Sequence, residues 1–244
     1  MTRLYKKSEI TFAILWIIAY VVLSSLTDQL SERVGVTKSF TAMLHIVMSL
    51  VLFLWIQKNK LGEKYGLRRS EVQANRFLYY IPLIIIASSS LWNGANLRLG
   101  AAGTVCFVIS MCCVGFLEEI IFRGLLFRAM EKDNVKTAIV LSSLTFGFGH
   151  IVNLFNGSGR DLLSTLVQVV FAFLVGFVLV WIFYQGKSLL PCILFHSVNN
   201  ALRAFEAESR MDPRTEVLIN IVLTVVVLGG YSLYLLRAFR DKAP

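Results

Sequence analysis

The chain has 244 residues, of which 56% are hydrophobic and only 16% charged, with a formal net charge of +9. Soluble domains average about 45–50% apolar and about 25% charged. An ordinary soluble enzyme is therefore excluded, and so is disorder, which needs low hydrophobicity. What remains is a polytopic membrane protein.

Apolar stretches near the roughly 20 residues needed to cross about 30 Å of hydrocarbon recur along the chain. In order they fall at 10–26, 39–57, 77–92, 102–127, 137–155, 162–184, 188–203 and 217–236. The first, sixth and eighth carry no charge through their centres. The third and seventh are short, and the seventh holds a His and two Asn. Backbone groups cannot stay unpaired in lipid, so each span is helical; no alternating pattern of a membrane barrel is present. The expectation is an all-α polytopic membrane protein, a single domain over 1–244, with about eight transmembrane helices in one bundle.

The loops between spans differ in charge. Most of the 24 lysines and arginines fall within 3–7, 58–76, 123–136, at Lys187 and within 237–242. The intervening loops mix Arg33, Lys38, Arg98, Arg160, Arg203, Arg210 and Arg214 with Asp28, Glu32, Glu206 and Glu208. That alternation follows the positive-inside rule and places both termini in the cytoplasm. The basic excess is thus a topology signal, not a nucleic-acid footprint; membrane lipid is the expected partner and nucleic acid is not. The first apolar run is longer than a signal-peptide core and no A-x-A site follows, so it reads as an uncleaved helix. The hydrophilic stretch 57–76 reads as a short interfacial helix beside anionic head groups. Cys106, Cys112, Cys113 and Cys192 all lie in spans without C-x-x-C spacing and read as packing residues.

Function is sought where a span breaks the apolar rule, because an ionisable group in a membrane is costly. Three segments do so. Glu118 and Glu119 are adjacent in the fourth span, so on a helix they point about 100° apart and cannot serve one purpose. Glu119 precedes Arg123 by four, the favoured order for a helical ion pair, which leaves Glu118 without a local partner. In the fifth span Phe146 and His150 share a face, while Gly147 and Gly149 admit a neighbouring helix. In the seventh, His196 and Asn200 are one turn apart and Asn199 points elsewhere. Each set also has a plain structural reading, as an ion pair or as interhelical hydrogen bonds. His45, with no polar neighbour on its face, suits that plain role best. Counted from the basic loops, Glu118, His150 and His196 all lie about 13–21 Å deep at 1.5 Å per residue. A shared cavity explains that coincidence better than three separate packing roles.

A carboxylate shielded from bulk water can take a proton from a water molecule, and imidazole and amide groups can stabilise an oxyanion. Such a set can hydrolyse an amide. No G-x-S-x-G or H-E-x-x-H is present, and no cysteine with a fixed His partner, which disfavours serine, zincin and cysteine mechanisms.

E-E-x-x-x-R at 118–123, F-x-x-x-H at 146–150 and H-x-x-x-N at 196–200 resemble, in order and spacing, the motifs of the CPBP family of intramembrane endopeptidases. This is the CAAX-protease and bacteriocin-processing group, similar to type II CAAX prenyl endopeptidases, and the motif-bearing core spans about 102–205. The resemblance implies an eight-helix bundle with a cavity open to the cytoplasmic side. It implies Glu118 as the water-activating glutamate assisted by His150, His196 and Asn200 as the oxyanion site, and Glu119, Arg123 and Phe146 in support. No cofactor is favoured. The family's metal alternative would be zinc on Glu118, His150 and His196. The substrate implied is a membrane-associated peptide, prenylated or bacteriocin- or pheromone-like, met at the cytoplasmic side of a prokaryotic plasma membrane. Two rivals stand beside this. One is a non-catalytic self-immunity or scaffold protein on the same fold. The other is a small proton-coupled transporter, for which inverted repeats are expected and none is visible.

Overall fold

The computed structural model describes residues 1–154, 162–208 and 211–239. Arg160, Arg210, Arg240 and Lys242 lie outside the described residues. After a short helix at Thr2–Lys7 the chain forms α1 (Glu9–Val34), α2 (Ser39–Lys58) and α3 (Ile81–Ser88). There follow α4 (Gly100–Met130), α5 (Val135–Gly149), α6 (Leu162–Gly186), α7 (Leu190–Leu202) and α8 (Arg214–Ala238). Among the described residues there is no strand, only an isolated bridge between Ala95 and Glu206. The fold is all-α, as the apolar runs require.

Six helices are long and apolar enough to cross a membrane, against the eight expected. The two that fall short are α3 and α7, with 8 and 13 residues, or about 12 and 20 Å at 1.5 Å per residue. The backbone explains α3. Leu78, Tyr79 and Tyr80 adopt left-handed φ of 50°, 50° and 59°, and Pro82 sits in the first turn of the helix that follows. This irregular stretch is shielded by protein, as lipid demands: Phe77 is fully buried and its carbonyl accepts from the Tyr231 hydroxyl at 2.8 Å. α7 likewise starts at a proline and packs on α3.

Two ends of the bundle can be told apart by their contacts. At one, Lys64 and Lys132 both reach Glu9, at 2.8 and 2.9 Å. There too the Leu189 N–H donates to the Gly66 carbonyl and Arg76 to the Ala238 carbonyl. This end gathers the basic loops. At the other, Lys38 pairs with Asp28 at 2.7 Å and the Asn96 N–H donates to the Phe205 carbonyl. The segment 57–76 is not the interfacial helix expected; it forms turns up to a 3-10 helix beginning at Ala74. The reason is that Tyr65 is buried and Lys64 is tied to Glu9 and Tyr5, so the segment folds back onto the protein.

Helix α4 runs through the middle. All residues from Glu119 to Phe127 are buried, as is the run Val178–Phe183 of α6. The large exposed side chains of α1 (Ile14, Ile18, Val22) and α8 (Leu218, Val222, Val226) form the apolar outer surface suited to lipid. All four cysteines are unbridged; Cys192 is buried whereas Cys112 is exposed.

Candidate active site

The site is assembled on α4, where Glu119–Phe127 winds as a π-helix, a rare widened form that recurs at functional positions. One turn before it, Gly115 lets α7 touch the α4 backbone. A Cβ at Gly115 would lie 2.6 Å from the Ser197 nitrogen and closer still to its hydroxyl. That hydroxyl instead donates to the Cys112 carbonyl at 3.1 Å. The crossing brings His196 to the turn that carries both glutamates.

His196 stands between them. Its Nδ1 is 2.8 Å from Glu119 Oε1 and its Nε2 is 3.3 Å from Glu118 Oε2. Neighbouring helix positions diverge, yet one imidazole reaches both because its two nitrogens point apart. Glu119 also pairs with Arg123 at 3.2 Å, both side chains wholly buried, as their spacing predicts. The guanidinium lies 4.2 Å over the Phe146 ring, a desolvated cation–π contact. Phe146 in turn meets His150 and His196 edge-on, with ring centroids 5.4 and 5.7 Å away. It is the apolar centre of the polar cluster.

Glu118 is held differently. Its Oε1 accepts from the Tyr20 hydroxyl of α1 at 2.6 Å, so its partner comes from 98 residues away rather than from its own helix. Oε2 makes no hydrogen bond among the described residues; the 3.3 Å approach of His196 lacks the alignment for one.

His150 follows the end of α5, and its Nδ1–H donates to the Phe146 carbonyl at 3.1 Å. Of the two glycines expected to admit a neighbour, Gly147 does: a Cβ there would meet the Val169 carbonyl of α6 at 3.1 Å. Gly149 faces open space. Asn199 does not line the cavity, as its spacing suggested, but it supports Asn200. Its amide donates to Asn200 Oδ1 at 3.2 Å, which leaves the Asn200 amide hydrogens as its contribution to the site.

A cavity of about 480 Å³ lies among these groups, lined by Glu118, His150 and Asn200 together with Tyr20, Phe146 and Gln168. That volume is within the range of about 300–1,000 Å³ usual for ligand sites. Three of the four expected catalytic residues therefore share one chamber. The fourth, His196, is buried against Glu118.

Residues 99–202, which contain all three motifs, match the family model Rce1-like, type II CAAX prenyl endopeptidase. The motif-bearing core belongs to that family. No curated protein and no solved structure matches the chain. The match covers less than half of the chain and supports a CAAX-protease type of activity for it.

Several cavity residues carry no motif. Tyr20 was hidden in a plain apolar run, although a mid-span tyrosine needs a partner for its hydroxyl. His45 fits the plain role expected of it but has polar neighbours after all, Ser24 at 2.9 Å on Nε2 and Ser110 at 3.0 Å on Nδ1. It also stacks on Tyr20 with centroids 5.6 Å apart. Asp28, Lys38, Arg203 and Glu206 line the far end of the cavity. This end is opposite the basic loops.

Both ring nitrogens of His196 face carboxylates, and among the described residues no group of three His, Cys, Asp or Glu is placed to hold a metal ion.

Proposed function

We propose that the protein is an intramembrane endopeptidase in which Glu118 activates the attacking water. The observation that carries this is the state of that carboxylate: one oxygen fixed by Tyr20, the other without a hydrogen bond, in a cavity shared with His150 and Asn200. A water between Oε2 and the scissile carbonyl gives its proton to Glu118 as its oxygen bonds to the carbonyl carbon. Asn200 supplies a hydrogen-bond donor for the oxyanion, while His150, whose Nδ1–H is held by the Phe146 carbonyl, offers Nε2 as an acceptor that orients the water beside Glu118. The C–N bond then breaks and the departing nitrogen takes the proton from Glu118, so one water and one peptide become two peptides. A positioned base contributes about 10²–10⁴ in rate and one oxyanion donor about 10²–10³.

His196 takes a role different from the oxyanion donor that the resemblance implies. With Glu119 on one nitrogen and Glu118 near the other, it sets the angle of the Glu118 carboxylate. Arg123 balances Glu119 so that the imidazole is not drawn away. The substrate is a membrane-associated peptide, either a prenylated C-a-a-X tail or a bacteriocin- or pheromone-like precursor.

The test is cleavage in liposomes of a farnesylated C-a-a-X peptide and a panel of membrane-associated peptides, with and without a chelator, by wild type and His150→Ala. Cleavage unaffected by the chelator and reduced at least about 10²-fold in the variant is expected. Loss of cleavage on chelation would overturn the glutamate mechanism. Complete inertness of the folded wild type would favour the immunity or scaffold role.

A further inference from the structure

Helix α1 carries Tyr20, yet little apolar burial holds it in place. Ile14, Ile18 and Val22 face outward, and lipid is as apolar as they are, so no hydrophobic force presses the helix onto its neighbours. Polar contacts to the α2 side recur at each turn instead. Ser24 lies 2.9 Å from His45 Nε2. One turn on, Asp28 accepts from Thr41 and, at 2.7 Å, from Lys38; a turn further, Ser31 accepts from the Phe40 N–H at 3.0 Å. The His45 contact differs from the other two because it reaches a third helix: Nδ1 lies 3.0 Å from Ser110 of α4. A neutral imidazole donates from one nitrogen and accepts at the other, and a serine hydroxyl can answer either. The ring is thus pinned at two edges, so it cannot turn without losing both contacts. Its face lies on Tyr20, with centroids 5.6 Å apart and 30° between the planes. Tyr20 in turn donates to Glu118 at 2.6 Å.

We propose that His45 is a positioning residue for the reaction: pinned between Ser24 and Ser110, it sets the plane of the Tyr20 ring and so the point at which the hydroxyl meets Glu118. The effect on turnover rests on the proteolytic reading above; the placement of the Tyr20 ring does not. Ser24 and Ser110 stand on the two helices that carry Tyr20 and Glu118, so the imidazole also fixes the spacing between that pair. A plain interhelical hydrogen bond needs any two polar side chains. Tying two helices while presenting a flat face to Tyr20 needs a ring with a hydrogen-bonding atom on each of two edges. His45 belongs to the cavity wall but is only 2% exposed, so it acts through Tyr20 and its loss changes kcat rather than KM.

The test is a double-mutant cycle on a farnesylated C-a-a-X peptide in liposomes, with wild type, Tyr20→Phe, His45→Ala and the two combined. His45→Ala is expected to lower kcat about tenfold with KM near wild type. In Tyr20→Phe protein the same change is expected to cost less than about twofold, because the hydroxyl it places is already gone. An equal factor in both backgrounds, as a loss of folded protein gives, overturns the proposal, and so does wild-type kcat in His45→Ala. Ser110→Ala leaves both rings in place and frees one edge of the imidazole, so it reads the same cycle if His45→Ala does not fold. A second readout needs no cleavage. In protein labelled with fluorinated tyrosine, the Tyr20 line is assigned by its absence from Tyr20→Phe. That line is expected to be single and narrow in wild type and broadened or split in Ser110→Ala; an unchanged line overturns the proposal. A broadened line in a protein that cleaves nothing keeps the placement of Tyr20 and overturns the proteolytic reading.

Discussion

Tyr20 donates one hydroxyl to Glu118 and belongs to no motif. A hydrogen bond to a charged group is worth about 1.5–3 kcal/mol, so Tyr20→Phe is expected to lower the melting temperature somewhat and to slow turnover about 10–100-fold while leaving the apparent KM close to wild type. Steady-state kinetics in detergent check this; an unchanged kcat would remove Tyr20 from the site. Arg123 tests a different kind of contact. Removing one partner of a buried ion pair costs about 3–5 kcal/mol because the other charge is left uncompensated. Arg123→Met should therefore lower thermal stability strongly. Glu119→Gln with Arg123→Met should recover much of that loss without recovering cleavage, since His196 then loses the carboxylate that orients it. A double variant as unstable as the single one would show that the pair acts through packing alone.

Between helices the decisive contact is Gly115 against Ser197. A methyl group at Gly115 would meet backbone, not a flexible side-chain end, so Gly115→Ala must push α7 away from α4. Overpacking of this kind costs about 1–3 kcal/mol. We expect a lower melting temperature and loss of cleavage in protein that still inserts into the membrane, read by thermal unfolding alongside the peptide assay; retained activity would contradict the role of this crossing. The apolar runs made six spans legible, because length and hydrophobicity alone decide them. They could not show that α3 is broken. Leu78, Tyr79 and Tyr80 are apolar residues in left-handed conformations, which tertiary packing imposes and composition does not announce. In the site, Glu119 with Arg123 was legible from spacing on one helix. The Glu118 partner was not, since Tyr20 lies on another helix, and one sequence holds no trace of contacts between helices. Nor could a regular 3.6-residue turn foretell the π-helical segment that begins at Glu119.

Taken whole, the molecule is a helical bundle around a cavity lined by the candidate site residues, with its basic loops gathered at one end. Lys64 ties that end together: burial alone would lower its pKa, but hydrogen bonds to Glu9 and Tyr5 outweigh this and raise it above the ordinary lysine value. Because the folded value is the higher one, this contribution is fully present below about 10.5 and is lost as pH rises through the folded pKa. The lysine is partly exposed, so the effect is at most about 1 kcal/mol. Lys64→Met should melt slightly below wild type at pH 8, and the gap should close toward pH 11. A gap that widens with pH would refute the assignment. The central claim, that Glu118 is the base for a water in this chamber, is tested most directly by the turnover of Glu118→Gln against wild type on the same cleaved peptide. Correct folding would be confirmed by equal melting temperatures. The account predicts a fall of at least about 10²–10⁴-fold; a Glu118→Gln protein that cleaves at the wild-type rate would contradict it.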